Sequence, residues 1–394
     1  MSVVRQIGSV ALVGIATIPK RLGAAAVVVV GIAGVVGVFI GLLAIGEGFE
    51  RTLQQSGNDH TALILQAGTQ SEAASSLARD VPSIVSQAAQ IKRNAENRAI
   101  VSAELLVAAS LRKRSTGLEA NVAVRGIGER AWELRPQAMI TAGRQFQPGL
   151  QELVLGADAH RQFLGTQLGA TLMLNGQAWL VVGIFDSGDA HNSEIWTDSD
   201  VLGSAFRRGT GKSSLVVQLT DASTFDAFKA QLVSDPSLNI DVITTQQYYS
   251  RQSARVAKMS RVFGIVIATI MALGATFGAL NTMYAAVTVR AREIATLRAI
   301  GFRSIPVVVS VLLETLLLAV AGGVIGAGIA WLLFDGLQAS TMGSSGGQIM
   351  FAFEVSAQLL ASGVIAALAI GLVGGLLPAI RAARMPIAMA LREL

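Results

Sequence analysis

The chain has 394 residues, of which 52% are hydrophobic and 14% are charged, and its formal net charge is +5. Because soluble domains carry about 25% charged residues, this composition excludes an ordinary soluble protein over the whole length. The chain contains no cysteine, which excludes disulfides and thiolate metal sites. Its three histidines are widely separated, so we expect no metal site, and the mild positive charge does not indicate a nucleic-acid partner.

Apolar residues concentrate in four stretches, each long enough for the ~20 residues that a membrane-spanning helix needs. The first could instead be a signal peptide, but its apolar run exceeds the ~7–15 residues of such a segment and no small-residue cleavage site follows. We therefore predict an uncleaved anchor. The predicted fold class is a membrane α-helical protein with four transmembrane helices and a mixed α/β periplasmic domain inserted between the first and second. The four stretches are Gly23–Gly46, Val262–Val289, Ile305–Phe334 and Val355–Ile380.

The positions of Lys and Arg in the short loops predict the orientation, because such residues stay on the cytoplasmic side. They occur in the N-terminal segment, in the loop after the second stretch and in the tail, but not in 335–354. Both termini are therefore predicted to be cytoplasmic, in a multi-pass membrane protein. The predicted segments are a cytoplasmic interfacial segment (1–22), transmembrane helix 1 (23–46), a periplasmic α/β domain with a stalk (47–260), transmembrane helix 2 (261–289), a cytoplasmic coupling loop or helix (290–304), transmembrane helix 3 (305–334), a short periplasmic loop (335–354), transmembrane helix 4 (355–380) and a cytoplasmic tail (381–394).

The middle of the chain has the mixed pattern of an α/β domain. Asn175-Gly176 between two β-like runs is a strong hairpin signal, and the polar stretch Thr245–Ser260 is compatible with a helix that continues into the second span. The predicted strands are Asn121–Val124, Glu152–Leu155, Thr171–Leu174, Trp179–Ile184 and Ser214–Leu219, and the predicted helices are Leu77–Gln90, Val101–Leu111 and Ala222–Val233.

This domain offers no catalytic motif. The segment 209–213 (GTGKS) resembles the end of a phosphate-binding loop, but that loop needs a glycine at the position of Phe206 and a helix where the β-like run begins. We therefore expect no enzyme activity and no cofactor in this chain.

The most informative segment is the short basic loop 289–304, with the sequence VRAREIATLRAIGFRS. It fits a helix of about two turns ended by Gly301. Ile294, Leu297 and Ile300 are predicted to share one side, while Arg292, Glu293 and Arg298 are predicted to meet a partner. A docking element is favoured over a loop that only sets topology and contacts anionic lipid.

Several segments resemble the MacB/FtsX-like permeases of ABC transporters. The resemblance covers nearly the whole chain and is most specific in the loop and the third span. It is carried by 292–301 (REIATLRAIG), 312–317 (LLETLL), 321–326 (AGGVIG), 378–384 (PAIRAAR), and in the middle domain by Gly143-Arg144, Glu152–Gly156, Leu168-Gly169 and Val181–Gly183.

The resemblance implies a permease-only member in the bacterial inner membrane. It would work with a separate ABC ATPase subunit, which would bind the ATP and Mg. It also implies a second permease chain, in a homodimer or heterodimer, and a coupling helix at residues 292–301 seated on the ATPase. ATP-driven closure would then move the periplasmic domains, for export with a periplasmic adaptor protein or for extraction of lipid-linked cargo. The alternative is an FtsX-like regulator of a periplasmic cell-wall hydrolase; a membrane sensor without an ATPase would leave the loop without a purpose.

Three further features each allow two interpretations. Glu314 lies in the third span, where it either makes a polar contact to another permease chain or to the coupling segment, or is merely structural. The glycines of the third and fourth spans pack helices within one chain or between two chains. A basic stripe before the second span fits contact with lipid headgroups or, less well, a partner. The glycines are Gly322, Gly323, Gly326, Gly328, Gly371, Gly374 and Gly375, and the stripe is Arg251, Arg255, Lys258 and Arg261.

Overall fold

A computed structural model describes residues 18–300, 302–343 and 345–384. The predicted interfacial segment therefore falls mostly outside the described residues, as do Gly301 and the last ten residues of the tail. The described residues form two compact units. We call them the helical unit, made of residues up to Gly48, Ala257–Leu337 and residues from Phe353 on, and the sheet domain, Phe49–Val256 with Gln338–Ala352.

Ten α-helices and twelve β-strands make up the described residues. The helices are α1 (Leu22–Gln54), α2 (Val81–Val85), α3 (Ala131–Leu134), α4 (Ala157–Gln162), α5 (Ser199–Ala205), α6 (Phe225–Val233), α7 (Thr245–Val289), α8 (Ala291–Ala299), α9 (Ser304–Phe334) and α10 (Ala357–Arg384). The strands are β1 (Thr61–Gln66), β2 (Val101–Arg112), β3 (Glu119–Ile127), β4 (Met139–Gly143), β5 (Glu152–Gly156), β6 (Thr171–Leu174), β7 (Gln177–Asp186), β8 (Glu194–Asp198), β9 (Ser214–Gln218), β10 (Ile240–Thr244), β11 (Gln338–Met342) and β12 (Gln348–Ala352).

Four of these helices, α1, α7, α9 and α10, are long and apolar enough to cross a membrane. Helices α1, α7 and α9 each include one of the four stretches identified in the sequence, and α10 includes all but the first two residues of the fourth. Helices α1 and α7 extend well beyond their stretches. The predicted fold class is thereby confirmed: four apolar helices with a mixed α/β domain between the first and second. The continuation of Thr245–Ser260 into the second span as one helix is also confirmed.

Most of the glycines predicted to pack helices lie at close contacts between helices of this one chain. A Cβ atom added to Gly326 of α9 would lie 2.5 Å from the backbone oxygen of Ala33, and one added to Gly371 of α10 would lie 2.5 Å from the Cβ of Ala319. Such distances leave no room for a side chain, so these glycines allow α1, α9 and α10 to pack closely. Gly328, in contrast, has nothing within 4 Å of its would-be Cβ among the described residues.

One mixed sheet of ten strands organises the sheet domain, in the order β10-β1-β9-β2-β3-β8-β5-β7-β4, with β6 paired to β7. Most pairs are antiparallel, but β3 with β8 and β5 with β7 are parallel. Two apolar clusters lie against the sheet, one mainly over β2, β3 and β5–β8 and the other over β1, β9 and β10. All five predicted strands are present, and both hairpin residues have positive φ, 48° at Asn175 and 76° at Gly176.

Two predicted helices are wrong. Val101–Leu111 lies in strand β2, which pairs with β9 through its first residues and with β3 through the rest. Its Ala, Leu and Glu content favours a helix, but hydrogen bonding on both sides overrides that weak preference. In Leu77–Gln90 only Val81–Val85 is helical, with Pro82 in its first turn, where the missing N–H is tolerated. Leu77 instead forms a β-bridge with Lys212. The helix at Ala222–Val233 is present, with a 3₁₀ turn before α6.

The connection between α9 and α10 is more than a short loop, since β11 and β12 form an antiparallel hairpin that belongs to the sheet domain. The backbone N–H of Met350 donates to Ser193 Oγ at 2.8 Å, and Gln162 Nε2 donates to Gln348 Oε1 at 2.7 Å. The rings of Phe49 and Phe351 meet edge to face at 5.4 Å. These contacts fix the hairpin to the sheet domain although it comes late in the sequence.

Candidate coupling site

Helix α8 is a short amphipathic helix between α7 and α9, at the place where the sequence predicts a coupling element. Its buried face is formed by Ile294 and Ala295, which are 6% and 3% exposed. Ile294 packs in an apolar cluster contributed by α7, α9 and α10, whose other members are Met283, Val287, Val307, Val311, Ala379 and Ala382. This burial holds α8 firmly against the ends of the spanning helices.

The opposite face of α8 is exposed and carries Arg292, Glu293 and Thr296. Ile300 is 69% exposed and does not share a side with Ile294, so that prediction is wrong. The reason is helical geometry, because six residues at 100° each place Ile300 far around the helix from Ile294. Arg298 lies four residues after Ile294 and is accordingly half-buried.

An ion cluster connects the start of α8 to two other segments of the helical unit. The carboxylate of Glu314, 5% exposed, accepts from Arg21 Nη2 at 3.1 Å and from Arg290 Nη1 at 3.2 Å. Arg290 immediately precedes α8, and its Nε lies 3.4 Å from Glu293 Oε2. Because a buried carboxylate is costly without compensating charge, the two guanidinium groups explain how Glu314 is accommodated in α9.

The structure thus brings Glu314 together with Arg290 and Arg21, two residues that the sequence indicated only as markers of topology. A buried acid near two basic segments was the available signal, but the sequence did not show which arginine reaches it. Arg292 and Glu293 are exposed, and Glu293 contacts Arg290, whereas Ile294 is buried. Gly301 and the side chain of Leu297 lie outside what the structure describes.

A second cluster of charges is buried in the sheet domain and was not predicted. Arg125 of β3 is 2% exposed and uses all five of its N–H donors on three glutamates, at 2.7–3.1 Å. Arg135 donates twice to Glu104, at 2.7 and 2.9 Å. The glutamates are Glu72, Glu104 and Glu194. With every Arg125 donor occupied, the cluster ties strands together and offers that guanidinium to no ligand.

The electrostatics of this cluster lower the pKa of a deeply buried carboxyl. Burial by itself would raise the pKa of Glu104, but the attraction of Arg135 and Arg125 outweighs it and lowers that pKa to about 2. Asp189 behaves similarly, since burial is outweighed by His191 and by hydrogen bonds from Ser187 and Gln137, and its pKa falls to about 2. Both groups are therefore ionised in the folded domain at neutral pH.

The four apolar helices and the sheet domain inserted between the first two are the architecture of a polytopic membrane protein. Residues 25–234 match the family of the MacB-like periplasmic core domain, and residues 265–387 match the FtsX-like permease C-terminal family. The chain therefore belongs to the MacB/FtsX-like permeases of ABC transporters.

Relatives of this chain carry transporter names. It is 25% identical over 390 residues to the macrolide export ATP-binding/permease protein MacB 1/2 of Paracoccus denitrificans, covering 93% of this chain and 55% of that protein. It is 24% identical over 381 residues to the uncharacterized ABC transporter permease YknZ of Bacillus subtilis, covering 91% and 92%. The periplasmic region of MacB from Actinobacillus actinomycetemcomitans aligns at 14% identity over 48% of this chain and 90% of that structure, with a TM-score of 0.38. The chain spans about half the length or less of the MacB relatives it matches, 38–55%.

Proposed function

We propose that this chain is the permease subunit of an ABC transporter and couples ATP hydrolysis in a separate ATPase subunit to movement of the sheet domain. The observation that carries the proposal is α8, a two-faced helix whose apolar side is buried and whose polar side, with Arg292, Glu293 and Thr296, is exposed. A loop needed only for topology would gain nothing from a buried apolar face or from an ionic anchor.

The ion cluster supports a mechanical role for α8. A force applied by the ATPase at Glu293 would be transmitted to Arg290. From Arg290 it would pass to Glu314 of α9, and from Glu314 to Arg21 at the start of α1. Charge-assisted hydrogen bonds are stronger than neutral ones and hold a defined geometry, so the three segments respond together. The ATP and Mg belong to the partner subunit, and the chain itself contributes no catalytic group to the proposal.

The basic loops support an orientation with both termini and α8 in the cytoplasm and the sheet domain in the periplasm. We propose the bacterial inner membrane as its location, because the matched ABC transporter relatives are bacterial. The cargo is proposed to be exported with a periplasmic adaptor or extracted as a lipid-linked molecule, by analogy with the relatives named for macrolide export.

A second permease chain is proposed to pack against α7. Only 11% of the apolar window of α7 is buried, against 33–44% for the windows of the other three helices. Its exposed apolar residues recur at helical spacing, for example Phe263 (58% exposed), Ile270 (65%) and Phe277 (70%). In a bilayer an uncovered apolar face meets acyl chains or another helix, and we propose that a second permease chain covers part of this one.

The test is affinity purification of the tagged chain from its native membranes in mild detergent, followed by mass spectrometry of the bound proteins. We expect an ABC ATPase subunit to be recovered, and to be lost from the charge-reversed variant Arg292→Glu/Glu293→Lys. The matched control is Arg112→Glu/Glu119→Lys, an exposed pair on neighbouring strands of the sheet domain, which should retain the ATPase.

Recovery of the ATPase from both variants in equal amounts would reject α8 as the docking helix. An adaptor in the eluate supports export, whereas a cell-wall hydrolase in its place supports the FtsX-like regulator.

A further inference from the structure

A cavity of about 770 Å³ lies within the sheet domain, beside the part of α7 that precedes its apolar run. Its walls come from α7, from β1 and β10 at one edge of the sheet, from the end of α1 and from the β11–β12 hairpin. The volume is within the ~300–1,000 Å³ range of ligand-binding pockets. None of the residues assigned above to coupling lines it.

One wall of this cavity is basic. Arg251 and Arg255 line it from successive turns of α7, and both are exposed. Among the described residues Arg251 makes no ion pair, and Arg255 Nη2 contacts only the neutral side chain of Gln70, at 3.2 Å. The acid in the lining, Asp241, is already paired with Lys229 Nζ at 3.2 Å. Two guanidinium groups therefore remain to attract an anion.

The rest of the lining is mixed and includes an apolar part. Phe49, Leu65 and Ile243 line the cavity and are 2%, 2% and 6% exposed. Met342 of the hairpin is 64% exposed and stands at the rim. A ligand that satisfies both walls has a negatively charged group at one end and an apolar body at the other.

We propose that this cavity binds an anionic phospholipid of the membrane, with the phosphate between Arg251 and Arg255 and part of an acyl chain against Phe49, Leu65 and Ile243. The planar guanidinium group recognises phosphate oxygens in pairs. Arg255 precedes the apolar run that begins at Val262 by only seven residues, which favours a lipid over a water-soluble anion. The inference does not depend on an ATPase partner, because binding is measured on this chain alone.

The basic stripe provides its own control. Lys258 and Arg261 continue the stripe along α7 and are equally exposed, but they do not line the cavity. Non-specific attraction between basic residues and anionic lipid depends on charge, so loss of either pair would weaken it equally. Binding in the cavity would instead be weakened by loss of Arg251 and Arg255 and not by loss of Lys258 and Arg261.

The absence of native cysteine allows a direct test on the full chain in non-ionic detergent. Met342→Cys, labelled with an environment-sensitive fluorophore, reports occupancy at the rim. We expect saturable binding of short-chain phosphatidylglycerol, at least about tenfold weaker binding of phosphatidylcholine with the same chains, and no response to glycerol phosphate, which lacks the acyl chains.

In the labelled background, Arg251→Ala/Arg255→Ala should weaken phosphatidylglycerol binding at least about tenfold, whereas Lys258→Ala/Arg261→Ala should change it less than about twofold. A thermal unfolding midpoint equal to that of the parent shows that both variants are folded. Equal losses in the two variants, equal binding of the two lipids, or saturation by glycerol phosphate alone would each overturn the proposal.

Discussion

Arg125 illustrates how a single side chain can make a domain dependent on charge. Its guanidinium joins glutamates from a 3₁₀ turn, from β2 and from the start of β8, so that three separate segments meet on one group. Lysine could not replace it, because an ammonium has three donors without the fixed planar arrangement. A buried network of this kind is costly when one partner is removed or neutralised.

Acid should therefore destabilise the sheet domain. The pKa of Glu104 is depressed from 4.5 to about 2 in the folded state, so its contribution to the free energy of unfolding is complete above pH 4.5. That contribution is lost as the pH falls from 4.5 towards 2, and Asp189 acts in the same direction between 3.8 and 2. We expect the denaturant midpoint of the full chain in detergent, followed by tryptophan fluorescence, to fall through this window.

Glu104→Gln separates this effect from general acid damage. At pH 7 the variant should lose about 3–5 kcal/mol of unfolding free energy, because Arg135 and part of Arg125 are left buried without their partner. Its further loss between pH 4.5 and 2 should be smaller than that of the parent. An acid profile identical in the two proteins would show that Glu104 is not the group responsible.

Among the elements, those with a clear local pattern were predictable from the sequence and β2 was not. Strand β6 and the Asn175-Gly176 hairpin follow from alternation and from the two residues that accept positive φ. In β2 the alternation is present, with Val107, Ala109 and Leu111 buried. The alternation is hard to recognise in the sequence because residues 108 and 109 are both alanine, which is compatible with either face of a strand and favours a helix.

The coupling element was predictable as a helix, but its anchor was not. Glu314 is 24 residues from Arg290 and 293 from Arg21. Contacts at such separations depend on how the spanning helices pack, and apolar helices with small residues at many positions leave that packing undetermined in the sequence. Ile300 lies on the exposed side because six residues of helix rotate it by about 120° from Ile294, although both are apolar.

Loss of the anchor should loosen α8. Glu314→Gln leaves Arg290 and Arg21 without their shared carboxylate, so we expect tryptic cleavage after Arg292, Arg298 and Arg303 to become several times faster in the detergent-solubilised chain. Local opening of a segment determines how often a protease reaches it. Mass spectrometry of the fragments gives the sites and their rates.

Glu119→Gln is the matched control, since it neutralises an exposed acid on β3 and should leave these cleavage rates unchanged. The double variant Arg290→Gln/Glu314→Gln removes both an arginine and the acid, and should be cleaved more slowly than Glu314→Gln alone. Unchanged cleavage in Glu314→Gln would mean that packing of Ile294 alone holds α8.

At the scale of the whole molecule, α7 is the least buried of the four membrane-length helices among the described residues. If a second permease chain lies against it, a cysteine at Ile270 or Phe277 should cross-link to the same position of a partner copy in native membranes, with dimer visible on denaturing gels. Ala279→Cys is the control, because Ala279 is 1% exposed and packs against Gly374 within the same chain.

A homodimer predicts strong cross-linking from the exposed positions and little from the control. Heterodimer formation predicts instead that the labelled chain cross-links to a different permease of similar size, which mass spectrometry of the shifted band would identify. Monomer alone at both exposed positions would contradict a partner on this face of α7.

The β11–β12 hairpin has a consequence for how the protein is made. Residues 338–352 belong to the sheet domain, yet the ribosome reaches them only after α7, α8 and α9. At ~5–20 residues per second, this piece follows Val256 by roughly 5 to 20 s. During that interval the hairpin does not yet cover the surface of β3 near Ala123 or the ring of Phe49. The domain therefore completes its fold only after the third apolar helix has been synthesised and the hairpin has reached the same side of the bilayer.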